Sequence, residues 1–479
     1  MIRQVIVARR SDFLSALPGG GTARTRSQAG EEGLFLLVDA VLRKLLGDYT
    51  GPLNVLGIPL LDFEVKLTDA PPQELPALEE LVISVGIPDS AGAPDWEGLN
   101  EFRSAVENAN NNAFNDGKPE PFLGVGADLF LDESEYFCPA NVDQVLFGDR
   151  TAARLLTRSA GLVNRGLTGN GVNIVVIDQG FDATKVQNFG GGFVNGTILP
   201  GATTRGHGLM LVRNIADAAP NATFFDVPII PTPRISNVTG FISSALHVFY
   251  LLKLVIAFLR QFPPWDGPWV LVNAWSIFDR STEAPPGDYT EGPGHPFNLV
   301  VGAMVDDLID IVFAAGNCGQ FCPDRRCGKR DIGPGSSIFG ANSHPRVLTT
   351  GAVRTDTRWL GNSSQGHGQQ LLSRWKPDLC APSSFREDHD AFLGNTDGPF
   401  VGDTGSPYVA STGTSAACGL AAGIVGAIRS GWDQTILPPD DLKQALNDNA
   451  RKTEGPPWNE RLGHGIIDAE ATVSALEAN

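Results

Sequence analysis

Ser411-Thr412-Gly413-Thr414-Ser415-Ala416-Ala417-Cys418-Gly419-Leu420-Ala421-Ala422-Gly423 is the stretch from which the rest of the chain can be read. A Gly-Thr turn opens a run that continues as Ile424-Val425-Gly426-Ala427-Ile428, with no charge before Arg429. A helix apolar on every face is buried, and its many small residues predict close packing. Ser415 stands where that helix begins. A hydroxyl at the positive end of a buried helix is well placed to act as a nucleophile, because the dipole favours developing negative charge there. Serine is also a good helix cap. This stretch alone leaves both roles open.

Outward from Ser415, the region 151–479 alternates buried strands with helices. Val172–Ile177, Ala222–Val227, Trp269–Val272, Ile309–Ala314 and Val347–Val353 are apolar runs of strand length, and Gly240–Leu259 and Gly413–Arg429 read as helices. Continuous apolar strands between helices predict a mostly parallel sheet covered on both faces, an α/β fold. Such sheets collect their functional groups at the C-terminal ends of the strands.

Two polar residues stand at such ends, and a histidine stands at a helix start. Asp178 directly follows the strand Val172–Ile177, with Asp182 a few residues further into the same loop. Asn317 ends the strand Ile309–Ala314 through Ala315-Gly316. His207, flanked by Gly206 and Gly208, opens a segment with helical spacing, and His367 has the same glycine flanks. Aspartate and asparagine also form ordinary turns, so each residue taken singly has a structural reading.

Together they resemble the subtilisin-like serine peptidases, the subtilases. The order Asp, His, Ser along the chain is that of the subtilisin branch of triad enzymes. The resemblance is carried by Asp178-Gln179-Gly180-Phe181-Asp182, Gly206-His207-Gly208 with Ala219-Pro220-Asn221, Ala314-Ala315-Gly316-Asn317, and Gly413-Thr414-Ser415 with Ala422-Gly423. It extends to the closing Gly463-His464-Gly465-Ile466-Ile467-Asp468-Ala469. It implies a three-layer α/β domain over 151–479 and a catalytic triad of Asp178, His207 and Ser415. Asn317 corresponds to the oxyanion donor, and Ala274, Trp275 and Ser276 to the strand that lines the specificity pocket. His367 falls in a segment that the family uses structurally. No cofactor is implied for catalysis; structural calcium is common in the family, with no ligands assignable here. Leu209 to Val212 after the histidine, and Ala416, Gly419 and Leu420 after the serine, depart from the family pattern without removing a catalytic atom.

Residues 1–88 read as a small α+β unit: a strand near Arg3–Ala8, a helix over Leu34–Leu46, a strand at Phe63–Leu67, a short helix near Glu74–Glu80 and a strand at Leu81–Val85. This order resembles the subtilase prodomain, which implies an inhibitory module and cleavage between about 88 and 165. Residues 89–150, rich in Asp, Asn, Gly and Pro, read as a linker or extension with little core.

Composition bounds the partners. With 42% hydrophobic residues in 479 the chain can bury a large core, and a net charge of −18 offers no basic stripe for nucleic acid. The apolar run His247–Leu259 contains Lys253 and is short for a membrane span, so it reads as a buried helix. The first ten residues lack the apolar core of a secretory signal, giving an expectation of cytoplasmic synthesis with leaderless export compatible. Cys318, Cys322 and Cys327 fit a local disulfide, three free thiols or, less well, zinc, whereas Cys138, Cys380 and Cys418 read as isolated buried thiols. The expected partner is a protein or peptide substrate, with the N-terminal module or a separate protein as inhibitor. A catalytically silent protease-like binding protein with an occluded cleft is the alternative. An esterase would need a Gly-x-Ser-x-Gly elbow, which is absent around Ser415.

Overall fold

The computed structural model describes residues 1–16, 31–47, 49–57, 63–131, 146–195, 198–203, 206–230, 240–335, 337–387, 400–401, 407–408, 410–452 and 456–478. The N-terminal part contains β1 (Ile2–Arg9), α1 (Arg10–Ala16), α2 (Glu31–Leu45), β2 (Asn54–Gly57), β3 (Phe63–Leu67), β4 (Glu80–Ile87), α3 (Trp96–Asn115) and β5 (Phe122–Ala127). Four of these strands form one sheet in the order β2-β4-β1-β5, and β1 pairs antiparallel with both of its neighbours. Alternation along β1 sends Ile2, Ile6 and Ala8 into a core with Val38, Val41 and Leu42 of α2 and Leu99, Phe102 and Val106 of α3. Val5 and Val7 face the other way.

Three expectations for this region are corrected. Residues 89–150 do not form a simple linker: α3 is a 20-residue helix whose N-cap Asp95 accepts from the Gly98 N–H at 2.9 Å, and β5 completes the sheet. The module therefore extends through Ala127. Glu74–Glu80 is not helical; Pro71, Pro72 and Pro76 remove amide donors, and regular structure resumes only with β4. The predicted strand Phe63–Leu67 does form, but it belongs to a different sheet.

The second part contains α4 (Arg150–Thr157), α5 (Ala160–Asn164), β6 (Asn173–Asp178), β7 (Phe189–Asn195), α6 (Gly206–Ala216), β8 (Thr223–Pro228), α7 (Phe241–Leu259), β9 (Trp269–Asn273), α8 (Pro296–Asp306), β10 (Asp310–Ala314), β11 (Leu348–Val353) and β12 (Leu379–Pro382). The short strands β13 (Phe385–Arg386), β14 (Phe400–Val401), β15 (Pro407–Tyr408) and β16 (Ala410–Ser411) precede α9 (Gly413–Arg429), α10 (Pro439–Asp448) and α11 (Ala469–Ala478). The main sheet has the order β12-β11-β10-β9-β6-β8-β7-β3 and is parallel throughout except where β3 runs antiparallel to β7.

Period-two alternation splits its strands between two cores. Ile174, Val176, Val270 and Val272 pack with residues of α6 and α9, and Val175, Ile177, Leu271 and Phe225 pack with residues of α7 and α8. Helices thus cover both faces. The α7 helix is long and apolar enough to cross a membrane, yet most of it is buried within the protein. Its core includes both the main sheet and Val5, Val7 and Val82 of the module, which accounts for apolar residues on opposite sides of the helix.

Candidate active site

Asp178 ends β6, its side chain wholly buried, and its Oδ1 lies 2.7 Å from Nδ1 of His207. His207 is in the first turn of α6, and the contact requires that turn to approach the loop after β6. Gly208 makes the approach feasible: a Cβ there would collide with the Gly180 carbonyl. Asp182 accepts from the amide and hydroxyl of Thr184, capping a 3-10 turn over Ala183–Lys185. His367 lies beside the rings of Trp458 and Trp375.

Ser415 is in the first turn of α9, but Thr412 occupies the N-cap position, so a simple capping role for the serine is not realised. Gly413 enters the helix at φ +69°, a conformation that glycine adopts without steric cost. The Ser415 hydroxyl donates to the Ala274 carbonyl at 3.2 Å. No hydrogen bond joins it to His207 among the described residues. The small residues of α9 have a positional reason. Gly419 and Gly423 lie against Leu211, Asn214 and Ile215 of α6, so the helices carrying His207 and Ser415 pack with little between them.

Asn317 follows β10 and is held by the start of α9. Its Oδ1 accepts from the Thr414 amide at 2.9 Å and the Thr414 hydroxyl at 3.0 Å, leaving Nδ2 as its donor. The Thr414 hydroxyl also accepts from the Gly316 amide at 3.1 Å. This fork fixes the turn after β10 relative to the turn before Ser415.

A pocket opens beside these groups, lined by Leu131, His207, Ala274, Ser276, Asn317 and Arg326, among others. Trp275 also lines it, but most of its ring belongs to the core, packed edge-on against Phe241 and Phe313. The Arg326 guanidinium lies 3.7 Å from the centre of the Phe278 ring, and its Nε and Nη2 each meet Asp324 at 2.9 Å. Asp324 is therefore charge-paired. Cys318 and Cys327 form a disulfide across this loop, which rules out a zinc site using all three local thiols; Cys322 is free and exposed. Cys380 and Cys418 are buried as expected, and Cys138 lies outside the described residues.

Two buried carboxylate systems escaped the sequence reading. Asp226 lies in β8, where its Oδ2 accepts from the amides of Gly201 (2.7 Å) and Phe181 (3.4 Å). It thereby ties together both ends of the segment between Asp178 and His207. Burial, followed by the nearby Asp178 charge, raises its pKa to about 7. A lone acid within Phe224-Phe225-Asp226-Val227 was the available signal. Glu387 accepts from Arg150 at 2.6 and 2.7 Å and from the Ser411 hydroxyl, while Arg150 also bonds Asn214 and pairs with Asp217. These contacts join α4, α6 and the strand leading into α9. Their partners are too far apart in sequence for any motif to reveal them.

The sequence pattern of the subtilase family matches residues 269–465, a span that includes the pocket strand, Asn317 and Ser415. Residues 269–465 of the chain are similar to the subtilase family. That similarity supports a serine endopeptidase acting on protein or peptide substrates. Asp178 and His207 lie outside the matched span, so the pairing of these two residues rests on the geometry above. Fervidolysin and MycP1 are among the solved structures that share the chain's fold. Fervidolysin from Fervidobacterium pennivorans, a keratinolytic enzyme related to subtilisin, has a TM-score of 0.52 at 13% identity, covering 99% of this chain and 61% of that one. MycP1 from the ESX-1 type VII secretion system has a TM-score of 0.50 at 18% identity, covering 72% of this chain and 91% of that one. No curated protein matches the sequence.

Proposed function

We propose that this protein hydrolyses peptide bonds through Ser415, His207 and Asp178, assisted by Asn317. Ser415 attacks the peptide carbonyl as His207 takes its proton, and the imidazolium then delivers that proton to the leaving amine. Water deprotonated by His207 then releases the acyl group as a carboxylate, and the proton returns to Ser415. Asp178 holds the ring through Nδ1, which presents Nε2 to the serine and stabilises the imidazolium. The oxyanion forms between the Asn317 Nδ2 donor and the backbone N–H of Ser415. Ser415 begins bonded to the Ala274 carbonyl, so its side chain must turn toward the imidazole before attack.

The 2.7 Å contact between His207 and Asp178, beside a pocket that His207 and Asn317 both line, carries this reading. Ala274, Trp275 and Ser276 form one wall for the substrate side chain. Among the described residues that line it, that pocket holds no acid to select basic side chains, and nearby Asp324 is paired to Arg326. The module is the proposed restraint, because the chain beyond β5 reaches Leu131 in the pocket lining and the Leu129 carbonyl accepts from Phe241 and Ile242. Casein hydrolysis by the purified protein and by Ser415→Ala, matched for melting temperature, tests the assignment. Activity is expected only with serine present, and equal turnover by both proteins would overturn the proposal.

A further inference from the structure

Several features of the catalytic domain are completed by the N-terminal module. The first is its sheet. The module's β3 is the eighth strand, paired with β7 over Phe63–Leu67, and the Thr68 amide donates to the Gly190 carbonyl at 3.1 Å. Gly191 is shaped for this neighbour: a Cβ there would strike the backbone of Lys66. Without β3, the edge of β7 would expose unpaired amides and carbonyls.

The second is the start of α7. Its N-cap position is Gly240, which has no side chain to satisfy the first helical amides. Asp128, immediately after β5, supplies the missing acceptor. Its buried carboxylate accepts from the Gly240 amide (3.0 Å), the Ser243 amide (2.9 Å) and the Ser84 hydroxyl (2.6 Å). An aspartate from the module thus caps a helix of the catalytic domain.

The third is a set of polar ties away from the pocket. Arg103 meets Asp288 at 3.0 and 2.9 Å, the Ala127 amide donates to Asp288 at 2.6 Å, and Gln4 donates to the Ala284 carbonyl at 2.6 Å. Beneath them, Val5, Val7 and Val82 share a core with α7. A detachable inhibitor needs to fill the cleft, but it has no need to finish its target's sheet, helix cap and core.

We infer that the module is a permanent component of the folded enzyme: a chain cut between Leu131 and Leu146 retains residues 1–131 as a noncovalent subunit. This conclusion does not rest on the catalytic roles proposed above. The test places a recognition sequence for an unrelated site-specific protease between Leu131 and Leu146 of the full-length Ser415→Ala chain. The uncut protein should melt as its parent does. After complete cutting, the two fragments should leave a gel-filtration column together in 1 M NaCl and unfold in one transition. Separate elution of the N-terminal fragment from a folded remainder would overturn the inference. Antiparallel alternation from the Thr68–Gly190 pair makes Lys66 the next ladder donor to β7. Lys66→Pro in the cut protein should accelerate fragment loss at least tenfold, and an unchanged rate would remove β3 from the account.

Discussion

The two sheets make their functional contributions at different ranges. In the eight-stranded sheet, Asp178 ends β6 and Asn317 follows β10, while His207 and Ser415 lie in the first turns of α6 and α9. Each owes its position to the residues beside it, including Gly208 and Gly413. In the four-stranded sheet, β1 lies between β4 and β5, both distant in sequence, and β3 leaves for the other sheet altogether. Local demands mark a sequence with glycines, turns and isolated polar residues. Pairing between remote strands leaves a much weaker mark, so the same reading picks out the strand-end residues and misplaces the end of the module.

The strongest way to break this comparison is to remove one local group at a time. Ser415→Ala and His207→Ala should each lower kcat by on the order of 10,000-fold or more, while His367→Ala leaves it within about twofold. Asn317→Ala should cost roughly 100- to 1,000-fold in kcat with little change in KM, because its donor acts on charge that develops in the transition state. Steady-state kinetics on a fluorogenic peptide separates these outcomes. A large KM effect at Asn317 would make it a ground-state binding residue instead.

The long-range half is probed through stability. Asp128→Ala removes the acceptor shared by Gly240, Ser243 and Ser84, and should cost on the order of 3 kcal/mol in urea unfolding. A loss no larger than that of an exposed aspartate would mean that α7 does not depend on the module for its cap.

Asp226 gives an effect with a defined pH course. Its native pKa of about 7 lies above the ordinary 3.8, so between these values the folded chain keeps a proton that the unfolded chain has released. Its contribution to stability therefore falls as pH rises from about 4 to 7 and is level above that. Asp226→Asn should remove this slope and gain on the order of 4 kcal/mol at pH 8 relative to pH 4, when each is compared with the parent. Parallel pH–stability curves for parent and variant would contradict that expectation.

Much of the main sheet and the residues around the pocket were legible because continuous apolar strands and glycine-flanked polar residues are local signals. The helix at Gly413–Arg429 was read with correct bounds, but the N-cap position open to Ser415 is occupied by Thr412, which makes no side-chain cap bond. Asp226 and Glu387 were passed over because their partners, Gly201 and Arg150, are brought in only by the fold. The missed α3 has a composition reason: Asn110-Asn111-Asn112 suggests a turn, while Leu99, Phe102 and Val106 on its buried face keep it helical. Tertiary burial outweighs weak helix propensity there.

The central claim is that Ser415 is a nucleophile activated by His207. Treating the purified full-length protein with a fluorophosphonate and mapping the adduct by peptide mass spectrometry tests it most directly. The account predicts one modified residue, Ser415, with labelling lost in His207→Ala. Labelling of another serine, or undiminished labelling of Ser415 without His207, would contradict it.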